Sequence, residues 1–292
     1  MRIGVPRETA LRERRVALMP AAVSRFAKQG VEVLVERDAG RSAHVADREY
    51  EEAGARLVDA ETAFGAELVL KVQRPSETEA ARFRSGAALV SLLQPAASGG
   101  LLSDLSNRQV TAFAMELVPR TTKAQSMDVL SSQATVAGYQ AVLLGASHLS
   151  RLLPMLTTAA GTIPPGKAFV IGAGVAGLQA IATARRLGAV VSAFDVRPVV
   201  KEQVQSLGAS FVEVEQVAAE AAGGYAGELD EQQQQRVLDA IGRHVVAQDL
   251  VITTAQIPGK PAPRLITAAM VGAMKPGSVI VDLAAETGGN CE

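Results

Sequence analysis

The stretch from residue 168 to residue 195 constrains the fold of this chain more than any other. A short apolar run at 168–171 is followed by Gly172, Gly174 and Gly177 at G-x-G-x-x-G spacing, then by a helical pattern and by a second apolar run that ends at Asp195. Short runs without polar residues are typical of parallel strands that are buried on both faces. The order of strand, glycine turn, helix, strand and acid predicts a dinucleotide-binding βαβ unit.

Each glycine of this motif has its own physical role. Gly172 permits the tight turn, Gly174 lets the backbone approach a pyrophosphate, and Gly177 lets the helix pack closely on the strand. The phosphates are expected at the helix N-terminus, where N–H groups and the helix dipole favour negative charge. Val175 and Ala176 open this helix, and they join the three glycines as predicted cofactor-binding residues. Such a glycine triplet alone often marks only a tight turn, so the prediction depends on the flanking elements.

The acid at the end of the second strand predicts the choice of cofactor. Asp195 should accept hydrogen bonds from the adenosine ribose hydroxyls and repel a 2′-phosphate, which favours NAD(H) over NADP(H). Arg197 opposes this prediction, because an arginine nearby can hold a 2′-phosphate. We expect the acid to decide, with Arg197 pairing with it or stacking on adenine. Val196 lies between them and is included among the cofactor-binding residues.

Strands and helices alternate along the whole chain. Its 292 residues suggest about two domains, and 48% apolar residues can fill a large core. The alternation predicts an α/β protein with two doubly wound, mostly parallel Rossmann-like domains, joined by a long helix across a cleft. The predicted domains are 1–145, with the linking helix from about 126, and 146–292, which holds the cofactor. The predicted strands are 2–5, 31–36, 68–72, 88–92 and 111–114 in the first half, and 167–171, 190–195, 210–214, 250–253 and 278–283 in the second.

An apolar stripe predicts the linking helix over 126–147. Its members recur at spacings of three and four residues: Met127, Leu130, Ala134, Ala137, Ala141 and Leu144. Such a stripe is typical of a helix face in the core.

Further on, the loop 219–227 is rich in Gly and Ala and carries Tyr225, which suggests either a mobile flap or a plain solvated loop. The chain stops soon after the last predicted strand, so we expect it to be incomplete at its C-terminus.

Composition excludes several classes of function. The net charge of −1 argues against nucleic acid as the main partner. Cys291 is the single cysteine, so the chain can build neither a disulfide framework nor a cysteine-based metal site. No run approaches the roughly 18 apolar residues that span a bilayer, and the first residues lack an apolar signal segment. We expect a soluble, cytoplasmic protein.

The segment 120–139, RTTKAQSMDVLSSQATVAGY, closely resembles the signature of the NAD(H)-binding alpha subunit of proton-translocating NAD(P) transhydrogenase. The resemblance extends over nearly the whole chain. It includes GVPRE at 4–8, RVAL at 15–18, KV at 71–72, Pro75, the glycine motif, FDVRP at 194–198, GGYA at 223–226, IPGK at 257–260 and GGN at 288–290. Alanine dehydrogenase shares the fold and several of these segments and is the alternative.

The resemblance implies a second half of the site, beside the nicotinamide. Arg120, Gln125, Asp128 and Ser131 would hold the carboxamide and ribose of the cofactor, so Gln125 and Ser131 also count as cofactor-binding. Tyr225 would lie on a loop that closes over the cofactor. These five residues are the predicted catalytic set.

The resemblance also implies partners. It implies a homodimer that docks onto an NADP(H)-binding beta subunit, which is attached to a membrane-spanning proton-channel subunit. NAD(H) would be bound by this chain and NADP(H) by the partner. The reaction would be hydride transfer from NADH to NADP⁺, of the Re/Si-specific type and coupled to proton translocation. The chain would then be peripheral to the inner or plasma membrane through its partner.

Two positions favour the transhydrogenase over alanine dehydrogenase. The dehydrogenase removes a proton from an amine, and its family uses a histidine and an aspartate where this chain has Gln94 and Glu286. A glutamine cannot act as the base, whereas hydride transfer between two nicotinamides needs only orienting groups. Arg15 and Lys71 match carboxylate-binding positions of the dehydrogenase, and here they either hold the fold together, which we favour, or pair with Glu or Asp that line the cleft.

The histidines and the lack of an acid–base residue leave one further alternative. His44, His148 and His244 fall outside the motif segments, which favours surface or packing roles over catalysis. A non-catalytic NAD-sensing module would also lack an acid–base residue, although it would not need polar groups beside the nicotinamide.

Overall fold

The computed structural model describes residues 1–119, 121–214, 217, 229–257 and 260–292. The chain divides into two compact units, Met1–Val129 and Leu130–Glu292. Each unit is built on one parallel sheet with helices on both faces, which confirms the predicted fold class of two doubly wound α/β sheets. None of the helices in the described part of the chain is both long and apolar enough to cross a membrane.

Unit 1 alternates strands and helices from its first residues. Its strands are β1 (Arg2–Val5), β2 (Glu32–Glu36), β3 (Arg56–Val58), β4 (Leu68–Leu70), β5 (Ala88–Ser91) and β6 (Thr111–Ala114), and its helices are α1 (Pro20–Lys28), α2 (Asp47–Glu52), α3 (Ala60–Phe64), α4 (Glu77–Ala80) and α5 (Gly99–Asn107). The strands are parallel in the order β3-β2-β1-β4-β5-β6. Strand β3 was not predicted, because its residues Arg-Leu-Val show neither a period of two nor a wholly apolar run, unlike those of the equally short β4.

The helices of unit 1 cover both faces of its sheet. Along β2, Val33 and Val35 pack into one buried cluster, whereas Leu34 packs into another on the opposite face. Side chains alternate between the faces of a strand, so a strand buried on both sides has no polar face. Local caps set where some of these helices begin: the side chain of Asp59 accepts from the Thr62 N–H at the start of α3.

Unit 2 carries the predicted nucleotide-binding motif. Its strands are β7 (Leu156–Thr158), β8 (Gly161–Ile163), β9 (Lys167–Ile171), β10 (Val190–Phe194), β11 (Ser210–Phe211), β12 (Leu250–Thr253) and β13 (Val279–Asp282), and the helices of this half are α6 (Val129–His148), α7 (Val175–Arg186), α8 (Val200–Ser206), α9 (Glu231–Val245) and α10 (Ala268–Ala273). The main sheet is parallel in the order β11-β10-β9-β12-β13. Strands β7 and β8 form a separate antiparallel ribbon, which was not predicted.

Strand β9 is the centre of this sheet and the point where the strand order reverses. It pairs with β10 on one side and with β12 on the other. Phe169 and Ile171 pack into one buried cluster, and Ala168 and Val170 pack into the cluster on the other face. Ligands of open α/β sheets bind at the carboxyl ends of the strands at such a reversal, so the turn after β9 lies where a nucleotide is expected.

The long helix α6 is observed, but the predicted stripe is buried only in part, with Ala141 buried and Ala134 and Ala137 half-buried. The buried residues of α6 are Gly138, Ala141, Val142 and Gly145, whereas Leu130 and Leu144 of the stripe are 40% and 47% exposed. A Cβ on Gly138 would lie 2.1 Å from the carbonyl oxygen of Ala176, and one on Gly145 would lie 2.4 Å from a methyl carbon of Leu250. The closest contacts of the helix are therefore made at its glycines, and a pattern of large apolar residues does not reveal that face.

Candidate functional site

The turn between β9 and α7 has the geometry that the glycine motif requires. Gly172 has φ of +94°, a conformation that favours glycine, and its N–H donates to the carbonyl oxygen of Phe194 at 2.8 Å. A Cβ on Gly177 would lie 1.8 Å from the carbonyl oxygen of Gly172. Only a glycine at position 177 lets α7 begin this close to the turn. The first N–H groups of α7 are thereby fixed beside the end of β9, where they can bind an anion.

The middle glycine borders open space. Gly174 is the residue before α7 and has φ of −76°, so its conformation does not itself require glycine. Within the described residues, only Nη2 of Arg197, at 4.0 Å, comes within 4 Å of a Cβ added to Gly174. A side chain would fit there without a clash, but it would fill the place from which a pyrophosphate approaches the backbone. The turn therefore fits a dinucleotide.

Asp195 and Arg197 form a nearly buried ion pair beside this turn. Oδ1 of Asp195 accepts from the main-chain N–H and from Nε of Arg197, both at 2.9 Å. Oδ2 accepts from Nη2 of Arg197 at 2.8 Å and from the N–H of Ala173 at 2.7 Å. The side chains are 6% and 14% exposed. Arg197 thus pairs with the acid, one of the two roles expected for it.

Two valines of the predicted cofactor site differ in exposure. Val175 begins α7 and is 40% exposed, so it can contact a ligand. Val196, which lies between Asp195 and Arg197 in the sequence, packs against the cluster around Phe169 and Phe194. Binding by any of these residues stays a prediction.

Thr254 supports the turn from the neighbouring strand, and the sequence analysis missed it. Its Oγ1 donates to the carbonyl oxygen of Gly172 at 3.0 Å, and it would lie 2.6 Å from a Cβ on Gly172 and 3.4 Å from one on Gly177. Thr254 directly follows β12, which pairs with β9. The hydroxyl therefore helps to fix the position of the glycine turn relative to the end of β12.

Asn290 in turn fixes the segment that carries Thr254. Its side chain is fully buried; Oδ1 accepts from the N–H of Ala255 at 3.0 Å, and Nδ2 donates to the carbonyl oxygens of Ala255 and Pro263 at 2.9 and 2.8 Å. Asp282 at the end of β13 holds the main chain of Asn290, whose N–H donates to Oδ2 at 2.7 Å. The GGN segment at 288–290 is part of the family resemblance, and the two glycines before Asn290, both with positive φ in the structure, were the sequence signal that could have revealed this support.

The nicotinamide-side residues predicted from the resemblance lie around the start of α6. Gln125 is exposed in a short 3₁₀ turn, and Asp128 directly precedes α6. Ser131 is half-buried in the first turn of α6, and its carbonyl oxygen accepts from Oγ1 of Thr135 at 3.1 Å. Thr135 lines a shallow groove together with Val175 of the phosphate turn.

Within unit 2, the start of α6 is held against the glycine motif of α7. Close contact of Gly138 with Ala176 fixes α6 against the start of α7, which places Ser131 two helical turns from this contact on the same unit as the glycine motif. Gln125 and Asp128 belong to unit 1. Arg120 and Tyr225 lie outside the described residues, so their predicted roles stay predictions.

Gln94 occupies an unusual turn at the end of β5. Its backbone is left-handed, with φ of +49°, and its N–H and that of Leu93 both donate to Oε1 of Glu116. A non-glycine residue in this region is uncommon and is often held by its surroundings at functional sites. Glu116 fixes the turn, and sequence reasoning did not single it out.

The two predicted cations of unit 1 pair with glutamates. Nζ of Lys71 lies 3.3 Å from Glu8 and 3.2 Å from Glu79, and its side chain is 1% exposed. Burial raises the pKa of Glu8 above its usual value, although Lys71 opposes the shift. Arg15 donates to Glu13 from Nε and Nη2 at 2.8 and 2.6 Å, and this hydrogen-bonded pair lowers the pKa of Glu13 to about 2. These charges are neutralised within unit 1.

The histidines have packing or surface environments. Nε2 of His244 lies 2.7 Å from Oγ of Ser192, and its ring meets that of Phe169 edge-on at 4.5 Å. Burial lowers the pKa of His244, and Lys167 adds to the shift. His148 is exposed at the end of α6, and Nε2 of His44 lies 2.7 Å from Nη2 of Arg14.

Comparisons with known proteins cover the whole chain. The family models described as "Alanine dehydrogenase/PNT, N-terminal domain" and "Alanine dehydrogenase/PNT, C-terminal domain" match residues 4–137 and 141–292. The chain is similar to the first part of the NAD(P) transhydrogenase alpha subunit of Rhodospirillum rubrum, with 49% identity over all of this chain and 78% of that protein.

A solved transhydrogenase structure is also similar to this chain, and an alanine dehydrogenase is less similar. A crystal structure of transhydrogenase from Sinorhizobium meliloti matches with a TM-score of 0.92 and 51% identity, over all of this chain and 80% of that one. Alanine dehydrogenase 2 of Staphylococcus aureus is 35% identical over 99% of this chain and 73% of its own length. The alanine dehydrogenase is thus the more distant relative.

Proposed function

The chain belongs to the alanine dehydrogenase/PNT family, and we propose that it is the NAD(H)-binding subunit of a proton-translocating NAD(P) transhydrogenase. It holds NADH while a hydride passes to NADP⁺ on a partner subunit. The single observation that carries this proposal is the phosphate turn of unit 2, which leaves space at Gly174 and has Asp195 directly after the next strand. The similarity to transhydrogenase alpha subunits supports the choice within the family.

The adenosine and pyrophosphate end of the cofactor is bound by unit 2. The main chain at Gly174 and the N-terminus of α7 bind the pyrophosphate, because the N–H groups and the helix dipole there favour an anion. Val175 and Ala176 begin that helix. Asp195 accepts from the ribose hydroxyls.

The nicotinamide end requires orientation rather than acid–base chemistry. NADH supplies the hydride, and no proton moves at the reacting carbons when the acceptor is a second nicotinamide. Gln125, Asp128 and Ser131 orient the carboxamide and ribose, together with Arg120, and Tyr225 closes over them. Holding a donor in a reactive position contributes a large part of such a rate.

A dehydrogenase of amino acids is the less favoured function. Deprotonation of an amine requires a base, and Gln94 cannot supply one in the turn where Glu116 holds it. Lys71, which would bind a substrate carboxylate in the dehydrogenase, already contacts two glutamates at 3.3 and 3.2 Å.

The partners follow from the same proposal. The chain forms a homodimer and docks onto an NADP(H)-binding beta subunit next to a membrane-spanning proton-channel subunit. Transfer is Re/Si-specific and coupled to proton translocation, and the chain is peripheral to the membrane through these partners. Relatives named as subunits of a transhydrogenase support the need for a partner.

A mixing assay tests the proposal. The purified chain is combined with a transhydrogenase NADP(H)-binding subunit, NADPH and an oxidised NAD analogue whose reduced form has its own absorbance. We expect reduction of the analogue that requires both proteins. Ser131→Ala should slow it about tenfold or more, whereas Ser147→Ala, an exposed serine at the other end of α6, should leave the rate unchanged.

Three results would contradict it. Failure of hydride exchange when both proteins are folded would refute the transhydrogenase function. NADH formation from alanine and NAD⁺ by the chain alone would favour the dehydrogenase. Tight NADH binding without exchange would favour a sensing module.

A further inference from the structure

Asp282 lies two strands away from the phosphate turn, at the same edge of the sheet. It is the last residue of β13 and pairs with Thr253, the last residue of β12, which in turn pairs with Ile171 at the end of β9. Neighbouring strands are about 4.8 Å apart, so the main chain of Asp282 lies roughly 10 Å from that of Ile171. An aspartate side chain is much shorter than this distance, so Asp282 can act on the turn only through other residues.

Four donors converge on the carboxylate of Asp282. Oδ1 accepts from the hydroxyl of Thr253 at 2.9 Å and from the N–H of Ala284 at 2.8 Å. Oδ2 accepts from the N–H groups of Asn290 and Cys291 at 2.7 and 3.1 Å. A carboxylate offers about four acceptor positions, and all of them are used here. The side chain therefore joins the end of β12, the start of the loop after β13 and the segment that contains Asn290.

The glycine before Asn290 lets this loop approach the carboxylate closely. Gly289 has φ of +80°, and a Cβ there would lie 3.0 Å from Oδ2 of Asp282. A residue with a side chain would be strained in this conformation and crowded against the carboxylate. The backbone thus folds around Asp282, and the position of Asn290 depends on this side chain.

Asp282 thereby acts on both neighbours of Thr254. It accepts directly from the hydroxyl of Thr253, and it holds Asn290, whose side-chain amide binds the N–H and the carbonyl oxygen of Ala255 at 3.0 and 2.9 Å. Thr254 lies between these two fixed residues and donates to the carbonyl oxygen of the first glycine of the phosphate turn. The last contact in this series is therefore on the turn itself.

The geometry points to Asp282 as a positioning residue for the bound dinucleotide: it fixes residues 253 and 255, these fix the hydroxyl of Thr254, and that hydroxyl sets the position of the phosphate turn. This inference rests on the proposed binding of NAD(H) by unit 2. Asp282 acts on affinity without touching the cofactor, because pyrophosphate binding depends on where the N–H groups of the turn lie. Loss of the carboxylate loosens the turn and weakens the binding of each ligand that carries a pyrophosphate.

Binding titrations with the purified chain test the inference. NADH and ADP-ribose, which share the pyrophosphate, are titrated by calorimetry against the unmutated chain, Asp282→Asn, Thr254→Val and the double variant Asp282→Asn/Thr254→Val. Asp282→Asn keeps the shape of the side chain but replaces one acceptor oxygen by an NH2 group, which cannot accept from the donors that face it. Thermal unfolding of each variant shows that it is folded.

Asp249→Asn is the matched control, because Asp249 is a nearly buried carboxylate at the opposite end of the same sheet. It directly precedes β12, and its side chain is 5% exposed. It accepts from the N–H of Lys167 at 2.8 Å and from the side chains of Lys275 and Arg151 at 3.1 and 3.2 Å. The control therefore disturbs a comparable set of hydrogen bonds away from the phosphate turn.

We expect Asp282→Asn to bind NADH and ADP-ribose about tenfold more weakly than the unmutated chain, by the same factor for both ligands. Asp249→Asn should unfold at a lower temperature but keep the affinity of the unmutated chain. Because Asp282 acts through Thr254, the double variant should bind no more than about twofold more weakly than Asp282→Asn, whereas independent effects would multiply. If Asp282→Asn does not fold, Thr253→Val, which removes only one donor to Oδ1, should weaken both ligands equally by about threefold.

The inference fails if folded Asp282→Asn binds NADH as tightly as the unmutated chain, or if Asp249→Asn loses as much affinity as Asp282→Asn. It also fails if the losses multiply in the double variant, since Asp282 would then not act through Thr254. A loss of NADH affinity without a loss of ADP-ribose affinity would overturn it too, because the effect would then lie at the nicotinamide end. Absence of NADH binding by the unmutated chain would refute the proposed function itself, which separates the two failures.

Discussion

Replacement of Gly174 by alanine should weaken cofactor binding strongly while leaving the protein folded. The backbone at Gly174 has φ of −76°, which alanine adopts without strain. An added Cβ meets only Nη2 of Arg197, at 4.0 Å, within the described residues. Alanine restricts the unfolded chain, which stabilises the folded protein, but it is a poorer residue than glycine before the start of a helix, which destabilises it. Because these effects oppose each other, the free energy of unfolding should change by less than about 1 kcal/mol.

The same methyl group should be costly to a bound dinucleotide. It stands between the backbone N–H groups and the pyrophosphate, and overpacking of this kind costs about 1–3 kcal/mol. At about 1.4 kcal/mol per tenfold, NADH should bind roughly 10- to 100-fold more weakly. ADP-ribose, which shares the pyrophosphate, should lose as much.

Gly177→Ala is the matched control at the third glycine. Its Cβ would lie 1.8 Å from the carbonyl oxygen and 2.8 Å from the carbonyl carbon of Gly172, so the backbone must move. We expect the free energy of unfolding to fall by about 3 kcal/mol or more. Calorimetric titration and thermal unfolding of both variants give the two quantities. Unchanged NADH affinity in Gly174→Ala, or a strongly destabilised Gly174→Ala, would refute this account of the turn.

Two further predictions concern side chains that support unit 2. Thr254→Val keeps the shape of the side chain but removes the hydroxyl that donates to Gly172, so this variant should bind NADH several-fold more weakly. Thr254→Ser keeps the hydroxyl and should bind NADH normally. Equal NADH affinity in both variants would show that the hydroxyl has no positioning role. Burial lowers the pKa of His244 below 6.5, so the folded state binds this proton less well than the unfolded state. The stability due to His244 is then complete above about pH 6.5 and declines as the pH falls below it. Thermal unfolding is measured at pH values of about 7.5 and about 5.5, on either side of that range. Between these two pH values, His244→Gln should lose less stability than the exposed-site control His148→Gln. An identical loss of stability in both variants would contradict the role given to His244.

The structure confirms most of what local patterns predicted. Runs such as 168–171 and 190–194 became strands β9 and β10, and the glycine triplet became the turn between β9 and α7. These elements depend on residues a few positions apart, whose periodicity and turn chemistry are visible in the sequence. Strand β3 and the β7–β8 ribbon were missed, because these short strands carry Arg, Thr or Gly among few apolar residues, whereas the equally short β4 is wholly apolar.

The helix α6 shows where pattern and packing diverge. Its length was predicted within a few residues, but its buried face only in part, since Gly138 and Gly145 make the close contacts. In a sequence, a glycine indicates a weak helix position. Only the neighbouring carbonyl of Ala176 reveals why it is there.

By itself, the sequence determined the class of fold, the place of the nucleotide turn and the family resemblance, because each depends on residues that are close along the chain. The tertiary structure alone decided how that turn is supported. Thr254 reaches Gly172 across 82 residues, and Asn290 reaches Ala255 across 35. It also decided that Asp195 is nearly buried in an ion pair with Arg197. Such contacts follow from which strands lie side by side, and no local pattern specifies the partner of a given side chain.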